Sequence, residues 1–233
     1  MINERQNMSQ PDMVSLPLFP LNTVLFPGAM LPLHIFEPRY RAMIRQCLDK
    51  ESRFGVVLIQ EGEEVDDIAE PYKVGTSARI VQVQHLADER MNIWVIGEAR
   101  FRIWDYSVSE NDYLIGFVSP LMEAPKPPRS IPEITNAVIQ LLKTYLSLLS
   151  RLDDEQKIAL GPQLTQEPEP LSYQVAELLN IDMVEKQTLL EANDAPSRLA
   201  REVKILEREV ALLKLSRPAS IQKLPWGGEI HLN

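Results

Sequence analysis

A single cysteine, Cys47, excludes any disulfide within the chain. Three histidines, His34, His85 and His231, are scattered and form no His-x3-His pair, and His-Glu-x-x-His does not occur. A zinc site therefore has no ligand set to draw on. Gly-x4-Gly-Lys-Ser/Thr is absent, so no phosphate-cradling P-loop is encoded, and neither Gly-x-Gly-x-x-Gly nor Gly-x-Ser-x-Gly occurs. No apolar run approaches the roughly 18–20 residues of a membrane span. The opening MINERQNMSQPDM is polar and lacks the apolar stretch of a signal peptide. Positive charge is also scarce: 24 Lys and Arg face 33 Asp and Glu, for a net charge of −9. Nucleic acid is held largely by Lys and Arg neutralising phosphate, so this balance makes it an unfavoured main partner. The expectation is a protein of the reducing cytoplasm, off the membrane, with no metal, no cofactor and no catalytic residues.

The acidic residues do not organise into a site either. Glu61 to Gly75 (EGEEVDDIAEPYKVG) holds six carboxylates without the Asp-x-Asp-x-Asp-Gly spacing of a calcium loop, and reads as a solvated loop. Asp66/Asp67 and Asp153/Asp154 lie in similar polar stretches. Serines and lysines are present, but nothing marks a particular pair as a dyad.

What the chain does have is a segment, Leu16 to Leu48, dense in both apolar residues and prolines. Leu16 and Leu18, then Leu31, Leu33 and Ile35, recur with a period of two, the spacing of strands. Proline cannot donate to a sheet ladder, so these strands are expected at edges or bulges. Pro27-Gly28 between them suits a type II turn. From Pro38 the period becomes helical, through Tyr40, Met43/Ile44 and Cys47/Leu48, with Cys47 on the apolar side as a buried structural thiol. Strand-like runs follow at Phe54–Ile59, Thr76–His85, Met91–Val95, Phe101–Ile103 and Tyr113–Val118. Gly97 interrupts them as a bulge or bend would. Short strands partly in hairpins suggest a small curled sheet or barrel.

After a proline-rich linker at 123–130 the pattern turns helical. Ile134 to Leu149 is amphipathic, Ser172 to Leu179 is a short helix, and Asp182 with Glu185 resembles a capping box. The last helix carries Leu199, Val203, Leu206, Val210 and Leu213 at steps of four and three. That seam wants a partner helix. The expected partner is intramolecular; the alternative is a homodimer through residues 196–215. The division is thus a lead-in (1–13), a β-rich part (14–122), a linker (123–130), a helical part (131–215) and a tail (216–233).

Three stretches carry a resemblance. Pro17 to Ile44 (PLFPLNTVLFPGAMLPLHIFEPRYRAMI) resembles the opening of the Lon protease amino-terminal, substrate-recruiting domain. Pro71 to Ile80 (PYKVGTSARI) and Gly97 to Ile103 (GEARFRI) look like that family's second and third landmarks. Lys186 to Glu191 and Arg198-Leu199 are similar to its terminal helices. The resemblance implies an α+β fold: a small PUA-like β pseudo-barrel with one early helix, then a helical lobe. It also implies a stand-alone member without the family's ATPase and Ser–Lys protease modules, acting on unfolded or client polypeptides, with a separate protease or ATPase as collaborator. An RNA-associated PUA-like barrel is the alternative, and a peptidase with an unmarked Ser–Lys site a further one.

Among the residues of the matching motifs, Pro27, Gly28, Tyr40, Gly75, Gly97, Arg100 and Phe101 are expected to be structural. Gly28 and Gly75 would supply backbone conformations closed to other residues. Arg100 would hold a loop carbonyl or carboxylate with its guanidinium, and Tyr40 would hold the first helix on the barrel. For contact with polypeptides the candidates are large side chains in or near the β-region: Phe26, Met30, Phe36, Trp94 and Trp104. Trp94 and Trp104 fall on the opposite phase from Val95 and Ile103, so they face either a second layer or solvent.

Overall fold

The computed structural model describes residues 13–62, 69–124, 131–150 and 164–215. Most of the expected lead-in, linker and tail, both Asp pairs and much of the acidic loop lie outside those residues. The strands come first: β1 (Val14–Leu21), β2 (Met30–Ile35), β3 (Phe54–Glu61), β4 (Glu70–Pro71), β5 (Val74–His85), β6 (Met91–Val108) and β7 (Leu114–Pro120). Helix α1 (Pro38–Asp49) sits between β2 and β3. Helices α2 (Ile131–Leu149), α3 (Pro168–Leu178), α4 (Met183–Leu190) and α5 (Ala195–Leu215) follow the last strand.

The strands form one seven-stranded sheet in the order β1-β7-β6-β5-β3-β4, with β2 paired to β6. A parallel pairing of β1 with β3 closes it into a barrel. Its prolines sit where β1 has a single neighbour. Pro17 lies in the half paired with β7 and Pro20 in the half paired with β3. Pro32 lies in β2, which pairs with β6 alone. A missing donor costs nothing on the side that has no partner.

Met91 to Val108 is one strand of 18 residues, not two short ones. It survives as one because it bends. Two β6 residues, Glu98 and Ala99, stand opposite the single Ser77 of β5, a bulge directly after Gly97. Gly97 is required by close approach: an ideal Cβ there would lie 2.4 Å from the carbonyl oxygen of Phe26. The 26–29 turn docks on this spot, with Gly28 N–H donating to Gly97 O at 2.8 Å and Gly97 N–H donating to Ala29 O at 2.9 Å. Gly28 has φ +82°, and Ala29 N–H closes the turn onto Phe26 O at 3.0 Å, as a type II turn requires.

Helix α1 covers one side of the barrel. Pro38 occupies its first turn, and Tyr40, Met43, Ile44 and Cys47 form the buried face. Tyr40 stacks on Phe19 of β1 with ring centroids 4.1 Å apart. Burial pushes the Cys47 thiol up, as befits a packed side chain. Inside the barrel, Phe101 packs with Leu18, Val57, Ile103, Leu114 and Val118.

The remaining core is shared. Leu142 and Tyr145 of α2, Leu171 of α3 and Leu199 and Leu206 of α5 pack in one cluster with Phe26, Leu58 and Val74 from the strand half. The helices thus bury their apolar face partly on the barrel. The α5 seam is covered by α2 within the chain: Val138, Leu142 and Tyr145 share the cluster with Leu199, Leu206 and Val210. Asp182 Oδ1 caps α4 by accepting from Val184 N–H at 2.7 Å. Glu185 does not complete the expected box; its carboxylate pairs with both terminal nitrogens of Arg208, at 2.7 and 2.8 Å.

Candidate functional site

The joint between barrel and helices is polar and buried. Arg100 on β6 donates from Nη1 to the carbonyl oxygens of Leu190 and Ala192, at 2.7 and 2.5 Å, where α4 ends. Its Nη2 donates to Glu123 Oε1 at 2.8 Å. Arg198 on α5 reaches the same oxygen at 2.7 Å, and Tyr173 on α3 donates its hydroxyl to it at 2.9 Å. Arg198 Nε donates to Ser172 Oγ at 2.8 Å, and its guanidinium lies 4.0 Å over the Tyr173 ring. One carboxylate oxygen thus gathers three elements of the fold. Gln187 of α4 adds a second tie by donating to Val74 O at 3.0 Å.

Burial lowers the affinity of Arg100 for its proton, with Tyr173 and Glu123 opposing, and raises the Tyr173 phenol. Next to this cluster, Glu202 of α5 is fully buried and neither carboxylate oxygen has a hydrogen-bond partner. Burial holds its carboxyl well above the usual range, Arg198 opposing. A buried carboxylate with no hydrogen-bond partner is costly, which favours its protonated form. These groups join two layers; among the described residues, no three His, Cys, Asp or Glu side chains converge as a metal would need.

The open surface lies around the docked turn. On β2 and β6, directly opposed residues point to one side of the sheet. Met30 faces Ile96, Pro32 faces Trp94 and His34 faces Asn92. Leu31, Leu33, Ile93 and Val95 turn the other way, into the core beneath α1. The outer side is therefore an apolar strip, Met30–Ile96 then Pro32–Trp94. It ends in a polar row where His34 Nδ1 and Asn92 Oδ1 are 2.7 Å apart and Asn92 Nδ2 donates to Gln84 at 3.2 Å. Met30 is 59% exposed and Phe36, stacked on His34, 49%. Trp94 is half-buried. A slot of about 240 Å³ opens between the turn Pro27–Ala29 and the α3 residues Pro170, Tyr173, Gln174, Glu177 and Leu178.

Phe26 does not belong to this surface. It is 0% exposed, its ring 6.4 Å from Tyr173 in the shared core. The turn that displays Gly28 and Met30 needs an apolar anchor beneath it, and Phe26 supplies that anchor. Trp104 is exposed, 56%, but lies on the arm of β6 beyond the Gly97 bend, its indole donating to Ser119 Oγ at 2.9 Å. Gly75 also corrects the sequence reading: its φ is not positive. A Cβ there would come within 2.6 Å of Val56 O and 2.8 Å of the Phe101 ring, so the barrel interior excludes it. The sequence reading missed Glu123, Tyr173 and Arg198. The available signal was Arg198 and Glu202 interleaved with Leu199 and Leu206 on the core side of α5; Glu123 carried no local mark.

A closed barrel is clamped through buried arginines onto a helical layer and presents an apolar strip to solvent. The chain belongs to the family described as the ATP-dependent protease La (LON) substrate-binding domain, whose pattern matches residues 15–208. The Lon protease of Anaeromyxobacter dehalogenans is 30% identical over 213 residues, covering 86% of this chain and 24% of that protein. The Lon protease of Parabacteroides distasonis is 31% identical over 224 residues, covering 89% of this chain and 25% of that protein. The chain thus spans about a quarter of the length of the curated relatives it matches. A crystal structure of a Lon N-terminal domain protein from Xanthomonas campestris superposes with a TM-score of 0.61 at 28% identity, over 82% of this chain and 98% of that one. The N-terminal domain of Mycobacterium avium complex Lon protease gives 0.61 at 20% identity, a likeness of fold.

Proposed function

We propose that this chain is a non-catalytic recruiting module that binds unfolded or client polypeptide on the Met30–Ile96–Trp94 strip and its surroundings. The observation that carries the reading is that strip, a solvent-facing apolar surface on a sheet whose other side is core. An exposed apolar patch rimmed by polar residues is a contact surface. Met30, Phe36 and Trp94 are its contact residues, with Trp104 a separate point on the far arm. Family membership supports polypeptide as the ligand. The matched family is described as a substrate-binding domain, and a protease or ATPase is the proposed collaborator. The buried free thiol of Cys47 is in keeping with a reducing cytoplasm.

The test is a titration of a permanently unfolded, reduced and alkylated protein against this chain, followed by fluorescence anisotropy. Micromolar binding, weaker for the same protein folded, is expected. Absence of binding up to several hundred micromolar would overturn the reading.

A further inference from the structure

The family pattern ends at residue 208 and α5 at Leu215, and the chain runs on to residue 233. Residues 216–233 (SRPASIQKLPWGGEIHLN) carry Trp226, one of the chain's three tryptophans, between Pro225 and Gly227-Gly228. Proline fixes its own φ and keeps the residue before it extended, so Leu224-Pro225-Trp226 has little freedom to lose on docking. Arg217 and Lys223 against Glu229 make the segment net positive, on a chain of net charge −9. Its own charge therefore draws it towards the acidic body.

The slot between the Pro27–Ala29 turn and α3 has room for one side chain of that segment. At about 240 Å³ it falls below the roughly 300–1,000 Å³ of sites for drug-sized molecules and cofactors. Pro27, Ala29, Pro170, Tyr173 and Leu178 give it apolar walls, and Glu177 adds a carboxylate. The walls are held in place. The turn makes two hydrogen bonds to Gly97, and Tyr173 is fixed by Glu123 and Arg198. A carboxylate can accept about four hydrogen bonds, so Glu177 has acceptor capacity for a further donor even with the Lys186 charge beside it. An apolar cleft with an acceptor in its lining suits tryptophan, which pairs a large apolar body with one N–H that needs a partner when buried.

The segment is long enough to reach. Arg198, in the first turn of α5, lies 4.0 Å over the Tyr173 ring, so the slot is beside the start of that helix. From Arg198 to Leu215 the helix runs about 25 Å. The chain from Leu215 to Trp226 spans up to about 36 Å when extended, enough to return along α5 and pass round α3. We propose that residues 216–233 fold back onto the body and that Trp226 fills the slot, its indole N–H donating to Glu177. Ala29 of the slot is followed directly by Met30 of the strip, so the docked tail competes with clients for that end of the surface. The competition, unlike the docking, rests on the recruiting function proposed above.

The test uses a fluorescein-labelled peptide spanning Ser220–Leu232 and the full chain. In the Trp226→Ala chain the slot is vacated, and the peptide should bind it about tenfold tighter than it binds the unmodified chain, whose own tail competes at high effective concentration. The peptide carrying Trp226→Ala should bind tenfold or more weaker. Adding Gln174→Phe, which fills the slot from α3, to the Trp226→Ala chain should abolish binding. Adding Glu177→Leu instead should erase the preference for the native peptide over its Trp226→Phe form. Melting curves establish that each variant is folded. Equal binding to the unmodified and Trp226→Ala chains, or binding untouched by Gln174→Phe, overturns the proposal. A dimer of the unmodified chain that Trp226→Ala dissolves overturns it in favour of docking on a second copy. Unfolded protein should also bind Trp226→Ala more tightly than the unmodified chain. If the peptide behaves as expected while unfolded protein binds neither chain, the tail docking stands and the recruiting function falls.

Discussion

Arg100 and Arg198, from opposite halves of the chain, hold the same oxygen of Glu123, at 2.8 and 2.7 Å. Both guanidinium groups are essentially out of solvent, with side-chain exposures of 1% and 0%. Replacing the carboxylate by an amide in Glu123→Gln leaves two buried cations without a counter-charge. The expected loss is roughly 3–5 kcal/mol in urea unfolding. Arg208→Gln breaks the Glu185 pair, which is exposed, and should cost under about 1 kcal/mol. Equal small losses for the two variants would show that the joint is as well screened as the surface.

Glu202 predicts a pH dependence of definite sign. Its carboxyl is raised in the folded protein by burial, above the roughly 4.3 of an unfolded chain. Between those two values the folded state holds a proton that the unfolded state has released. The associated stability is fully present below the unfolded value and is lost as pH rises towards the folded one. Glu202→Gln keeps the shape and removes the titration. Its urea midpoint should exceed that of the unmodified chain at pH 8, and the gap should close towards pH 4. A destabilised Glu202→Gln at pH 8 would mean that the ionised carboxylate is held by Arg198.

Two glycines should fail for different reasons. Gly97→Ala drives a methyl group against a main-chain carbonyl and should cost roughly 1–3 kcal/mol. Gly28→Ala meets no atom but keeps φ at +82°, a strain of about 1–2 kcal/mol. Thermal unfolding gives both losses. Only Gly97→Ala should perturb the docking of the turn, read as faster amide exchange at Gly28, whose N–H bonds to Gly97 O.

The strip and the far arm of β6 separate by mutation. Met30→Ser with Trp94→Gln removes the centre of the apolar surface, and binding of unfolded protein should weaken by tenfold or more. Trp104→Gln, beyond the Gly97 bend, should change it less than twofold. Equal losses would spread the binding surface over both arms.

Much of the fold was legible because short-range chemistry is strong. The Pro27-Gly28 turn, α1 from Pro38, the Asp182 cap and the α5 seam are local patterns, and each forms where its residues demand. Phe26 shows the limit. From sequence it is a large apolar residue beside a turn, equally suited to display or anchorage. Its burial was decided by helices whose place against the barrel no local pattern encodes. The same holds for Gly75, whose need for no side chain comes from Phe101 and Val56 across the barrel.

The sequence by itself determined the element types, their order and the absence of P-loop, Gly-x-Gly-x-x-Gly and His-Glu-x-x-His motifs, since periodicity, turn residues and spacing are properties of neighbours in the chain. The tertiary structure alone decided which apolar residues stay in water and which polar ones leave it. Barrel closure and helix docking bring Arg100, Glu123, Tyr173 and Arg198 onto one oxygen and leave Met30 and Trp94 facing outward, and both outcomes depend on contacts between segments far apart in the chain.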